Sequence, residues 1–176
     1  MTPLPPLMRP TGTERLVLPS GRAVAVAKCT PSFRECSGRR RPLGPTYDSK
    51  PLLAFEGEAA FAEIVVLASF LSAGWGGAWI DGFHRAAWRG MPAPETRAEI
   101  PTLIAARLER IGAADPRARC WDVVVWRGEE ILFCEAKRAT RDKIRDSQLR
   151  WLDSALVNGV AMSQFLIAEW SAHAGA

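Results

Sequence analysis

Between Cys120 and Lys137 the chain reads as two strands joined by a two-residue turn, and no other stretch restricts the fold as tightly. Trp121, Val123, Val124, Val125 and Trp126 form a β-branched and aromatic run, Arg127-Gly128-Glu129-Glu130 is a turn, and Ile131 to Ala136 is a second run, apolar except for Glu135. With Gly128 at the first central position of a type II′ turn, Arg127 pairs with Glu130. Counting outward along both strands then sets Asp122 opposite Glu135, on one side of the sheet with Cβ atoms about 4.5–5.5 Å apart. Lys137, two residues beyond Glu135, projects from the same face.

Two like charges directly opposed destabilise a hairpin unless a cation or a shared proton compensates. Lys137 is one such cation and a divalent metal is another. Two carboxylates plus water suit Mg²⁺, which retains several waters and takes one or two carboxylates. A cation held there polarises a phosphoryl oxygen and lowers the pKa of a bound water. Asp122 as a strand cap beside a surface Glu135–Lys137 ion pair is the plainer alternative. The strands are too apolar to be exposed on both faces, and the charged trio interrupts them at matched positions, so the pattern favours a site.

Around this hairpin the pattern predicts an α/β or α+β fold with one central mixed sheet flanked by helices. Residues 1–13 are Pro-rich, Leu16–Leu18 and Ala23–Ala27 suggest a small hairpin, and Thr30 to Pro51 is loop-like. A helix is expected from about Glu56 to Ser72, with Ala60, Ile64, Leu67 and Leu71 at helical spacing. A strand or strand pair is expected over residues 78–89. A short amphipathic helix follows from Glu99 to Ile111, with Leu103, Ile104 and Leu108 inward. After the central hairpin come a helix from about Asp142 to Val157, ended by Asn158-Gly159, and a strand from Phe165 to Trp170.

Charge divides the chain into a basic arm, residues 1–50, and a domain, residues 51–176. The arm carries nine Lys/Arg and three Asp/Glu, a net of +6, and the remainder fourteen and sixteen, a net of −2. Arg39-Arg40-Arg41 suits a phosphate backbone or a solvated leader. Pro3, Pro5, Pro6 and Pro10 interrupt any signal-peptide core, and Gly74, Gly76 and Gly77 break the apolar stretch Ala59–Ile80, so a cytoplasmic protein without a membrane span is expected. The four cysteines, unevenly spaced, suggest free thiols in a reducing compartment. His84 and His173 have no zinc-type neighbours at the right spacing.

The helix after the hairpin adds two features. Gln148 falls in the middle of the apolar stripe Ile144, Trp151, Leu152 and Ala155, where a buried amide needs a partner or a task. Arg138, Arg141, Lys143 and Arg145 form a cationic cluster suited to a phosphate backbone.

Asp122, Glu135-Ala136-Lys137, Gln148-x-x-Trp151-Leu152 and Gly159 together resemble the PD-(D/E)xK nuclease superfamily, and within it the VRR-NUC (virus-type replication-repair nuclease) branch, over roughly residues 56–170. The resemblance implies a restriction-endonuclease-like core and an Mg²⁺- or Mn²⁺-dependent deoxyribonuclease acting in DNA repair, recombination or defence. Asp122 and Glu135 would be metal ligands with the carbonyl of Ala136. Lys137 would hold or activate the attacking water, and Gln148 would position that lysine or the phosphate. The upstream acid, also a metal ligand, would be Glu58, with Glu63 as the fallback. The family usually has Pro or a small turn-former before the aspartate, whereas Trp121 stands here. DNA is the expected partner, with a homo-oligomer or larger nucleoprotein complex compatible with the small size. The rival is a non-catalytic DNA-binding subunit that keeps the fold.

Overall fold

The computed structural model describes residues 3–36, 47 and 50–174. Its strands are β1 (Gly12–Val17), β2 (Ala23–Cys29), β3 (Ser32–Glu35), β4 (Leu53–Phe55), β5 (Glu58–Ala60), β6 (Gly76–Asp81), β7 (Ala86–Trp88), β8 (Val123–Arg127), β9 (Glu130–Arg138) and β10 (Phe165–His173). The α-helices are α1 (Ala62–Ser72), α2 (Thr102–Ala114) and α3 (Asp146–Val157). All ten strands join one mixed sheet, in which β10, β9, β8, β6 and β7 lie side by side. β10 runs parallel to β9, while the β9–β8, β8–β6 and β6–β7 pairs are antiparallel. Along the other edge of β10 lie β2 and then β3, both parallel to it and in one continuous register, with the Ser171 N–H bonding the Pro31 carbonyl between them. β1 extends the sheet from β2, and β4 and β5 extend it from β3.

Side-chain alternation along β8 and β9 explains why helices cover both faces. Val123, Val125, Leu132, Cys134 and Ala136 face α1, in a core with Ile64, Leu67 and Phe70. Val124, Ile131 and Phe133 face the opposite way, against Ile104 and Ile111 of α2 and Trp151, Leu152 and Ala155 of α3. The result is an α/β sandwich with the sheet in the middle layer. Among the described residues no helix is long and apolar enough to cross a membrane.

The hairpin expectation holds rung by rung: Arg127 pairs with Glu130 and Val123 with Cys134. Gly128 has φ +57°, while Glu129 is absent from the residues with positive φ, the combination a II′ turn requires.

Elsewhere the boundaries move. α1 begins at Ala62 instead of residue 56, because Glu56 (φ 50°) and Gly57 (φ 84°) turn a hairpin between β4 and β5. α3 begins at Asp146 instead of Asp142, because Arg138 to Asp142 close a turn in which Arg141 and Asp142 donate to the Arg138 carbonyl. α2 begins at Thr102, after Pro101, and leaves Leu103 exposed while Ile104 and Ile111 are buried. Within the basic arm β1, β2 and β3 are strands of the main sheet, and β3 lies within the stretch expected to be loop. Arg39-Arg40-Arg41 falls outside the described residues.

Candidate active site

The C-terminal ends of β6 and β9 and the start of β8 lie at the same end of the sheet, where they floor an open cleft of about 680 Å³. The antiparallel ladder between β8 and β9 stops at Val123, and beyond it two acids take over. The Asp122 N–H donates to Glu135 Oε2 (3.1 Å), and the Ala136 N–H donates to Asp122 Oδ2 (3.2 Å). The two carboxyl groups therefore face one another across the strands, as the register requires.

Glu135 is fully buried, yet well bonded. Its Oε1 lies 2.8 Å from Lys137 Nζ and accepts a hydrogen bond from Gln148 Nε2. Gln148 Oε1 accepts from Lys137 Nζ (3.0 Å) and from the N–H of Arg145 at the start of α3 (2.9 Å). The buried amide on the apolar stripe thus locks a carboxylate, an ammonium and a helix end into one network, which fixes the lysine's direction. Trp121 is buried and packs edge-on against Phe165, with its indole N–H on the Gln148 carbonyl (3.1 Å), so it anchors α3 from below and does not face the cleft.

Burial first, and the charge of Glu135 second, push the Asp122 carboxyl well above the usual carboxylate range. Glu63, in the first turn of α1, is raised by burial and by the charge of Asp122, while its partner Lys50 pulls it back. Lys50 also stands over the rings of Phe61 and Trp79, about 5 Å from each centroid. Glu58 sits exposed on β5 and does not line the cleft, so of the two upstream candidates it is Glu63 that stands there with Asp122, Glu135, Ala136, Lys137 and Gln148. The turn that displaces α1 is what carries Glu58 away.

The cationic cluster is divided. Arg141, Lys143 and Arg145 line the cleft on the loop before α3. Arg138 instead stacks over Trp170 and approaches Glu35. The opposite part of the lining, which spacing in the sequence did not reveal, is a second polar group: Asp81, His84 and Tyr47. Asp81 Oδ2 accepts from the Tyr47 hydroxyl and lies 2.7 Å from His84 Nδ1. Burial alone would raise the Asp81 carboxyl, but hydrogen bonds from Tyr47 and from the backbone and ring of His84 bring it below its ordinary value. The Tyr47 hydroxyl is raised by burial and by Asp81. Its only sequence signal was chemical type, since Tyr47 is far from the others along the chain.

No family model, curated protein or solved structure matches this chain.

Among the described residues no group of three or more His, Cys, Asp or Glu side chains is arranged to hold a metal ion. The cleft floor sets Asp122 and Glu135 beside Ala136, with Glu63 nearby and paired to Lys50; burial first and the charge of Glu135 second raise Asp122. The carboxylate oxygens of Asp122 and Glu135 are hard donors of the kind that suit a magnesium-type cation that keeps most of its waters. The four cysteines are free.

Proposed function

We propose that this protein is a metal-dependent nuclease of the PD-(D/E)xK type, with the restriction-endonuclease-like core of the VRR-NUC branch, hydrolysing DNA phosphodiester bonds in the cytoplasm in repair, recombination or defence. One observation carries the reading: Asp122, Glu135 and Lys137 converge on one cleft and Gln148 joins the last two by hydrogen bonds.

Asp122, Glu135 and the Ala136 carbonyl would hold Mg²⁺ or Mn²⁺. When bound, such an ion polarises the phosphoryl oxygen and makes its water more acidic. The chain's own groups supply the rest. Lys137, held by Glu135 and Gln148, presents its ammonium to the attacking water or to the developing negative charge. Gln148 keeps that ammonium from swinging into solvent. Arg141, Lys143 and Arg145 neutralise phosphates along the rim and set the backbone's position.

A second reading, a DNA-binding subunit that does not turn over, is supported by the pairing of Glu63 with Lys50, which leaves two carboxylates at the floor. Labelled single-stranded, duplex and branched DNA, incubated with Mg²⁺, Mn²⁺ or EDTA, separates the two. The nuclease cuts with metal and not with EDTA, and Lys137→Ala lowers the rate by roughly 10²–10⁴-fold. Salt-sensitive binding without cutting of any substrate refutes the nuclease reading in favour of the subunit.

A further inference from the structure

The cleft has two chemically different walls, and their places in the sheet are fixed. The basic loop of Arg141, Lys143 and Arg145 follows β9, whereas the turn Gly82-Phe83-His84-Arg85 follows β6. β8, with Asp122 at its start, lies between them. Strand spacing therefore separates the roots of the two walls by about 10 Å.

Phe83 is 80% exposed and lines this cleft, the one aromatic among the exposed large hydrophobic side chains of the described residues. Its turn is nevertheless firmly built. The buried Asp81 accepts hydrogen bonds at Oδ1 from the N–H groups of both Phe83 and His84 (3.2 Å each), an arrangement that closes a turn through a side chain. The Phe83 ring meets the His84 ring edge-on, 4.9 Å between centroids, and His84 is itself held by Asp81 and by the Tyr47 hydroxyl (2.9 Å). A large apolar ring is thus presented to water on a support that resists collapse, which lowers the ordering cost of whatever stacks on it.

A cationic wall and an aromatic wall on either side of one groove match the two sides of a single nucleic-acid strand, phosphates on the first and base faces on the second. A paired duplex keeps its base faces stacked inside and offers this aromatic wall nothing. We propose that the β6–β7 turn is the base-binding wall of the cleft, with Phe83 stacking on an unpaired base, so that the substrate carries a single-stranded segment at the reacting phosphate. This deepens the nuclease reading and rests on it.

The test is binding in EDTA, where no cutting occurs, of fluorescently labelled oligo(dT) and of a duplex of equal length, by anisotropy. The compared proteins are the full chain, Phe83→Ala and Phe83→Tyr. Loss of one stacked base lowers the ratio of single-strand to duplex affinity by about 5- to 150-fold in Phe83→Ala, and the tyrosine restores it. An oligonucleotide carrying 2-aminopurine gives a second readout, quenched on binding the wild type and brighter on binding Phe83→Ala. An unchanged ratio together with metal-dependent cutting by the wild type overturns the base wall and leaves the nuclease standing. Failure of the wild type to bind either probe overturns the base wall, and absence of metal-dependent cutting as well overturns both.

Discussion

Asp122→Asn is expected to make the folded protein more stable, and increasingly so as pH rises. In the unfolded chain Asp122 ionises in the ordinary carboxylate range, whereas in the fold burial and Glu135 raise its pKa well above that range. The folded state therefore holds this proton more tightly. Stability falls as pH climbs from the ordinary carboxylate pKa towards the raised one, and above both the penalty is constant. Asparagine carries no charge, can still accept the Ala136 N–H, and can donate to Glu135. Two unit charges 4–5 Å apart repel by roughly 3–4 kcal/mol at an effective dielectric constant near 20, while an exposed cross-strand pair of like charges costs about 0.2–1 kcal/mol. Lys137 and Lys50 offset part of the repulsion at Asp122. A gain of about 1–3 kcal/mol follows, or about 2–12 °C in Tm for a chain of this length. Thermal melts near pH 4 and pH 8 in EDTA check it: the two proteins melt together at the lower pH and separate at the higher. Added Mg²⁺ then raises the wild-type Tm and leaves the variant's unmoved. A variant less stable than wild type at both pH values, or a gap independent of pH, refutes the reasoning.

Two other perturbations test the packing that supports the site. A Cβ at Gly77 would stand 2.7 Å from Leu67 Cδ1 and 2.8 Å from Val125 Cγ1, between α1 and β8, so Gly77→Ala should destabilise by about 1–3 kcal/mol in a urea melt; unchanged stability would show that α1 is not seated tightly there. Burial lifts the Cys29 thiol to about 11 and holds Cys120 and Cys134 well above the ordinary value, so iodoacetamide at neutral pH should add one label, at Cys36, to the native protein and four after denaturation. Rapid native labelling at Cys134, counted by mass spectrometry, contradicts the buried β9.

The parts of the site that were legible in the sequence are those set by local geometry. A two-residue turn with Gly128 at its head leaves one register, and that register alone brings Asp122 to Glu135. Gln148 was legible because a polar residue on an apolar helical stripe is costly unless bonded, and three hydrogen bonds meet its side-chain amide. What was missed depends on distant partners. β3 has only four residues, and its pairing with β10 spans most of the chain, so nothing local distinguishes it from loop. Ala60 fits a helical period equally well, but its partner is Leu53 across a hairpin, and the Glu56-Gly57 dipeptide was the available turn signal. The Asp81–His84–Tyr47 group forms by tertiary contact and has no spacing to recognise.

The position of β10 has a consequence for how the molecule comes together. This strand, the last among the described residues, is the seam between β9 on one side and the early strands β2 and β3 on the other. During synthesis β1, β2 and β3 emerge first and have no parallel neighbour to join until residues 165–173 are out, so the first strands made are among the last installed. Closing that long loop is entropically slow, and the waiting strands keep open edges meanwhile. A chain halted after Asn158 could hold the Asp122–Glu135 hairpin yet leave β2 and β3 without their seam, a species prone to pair with its neighbours.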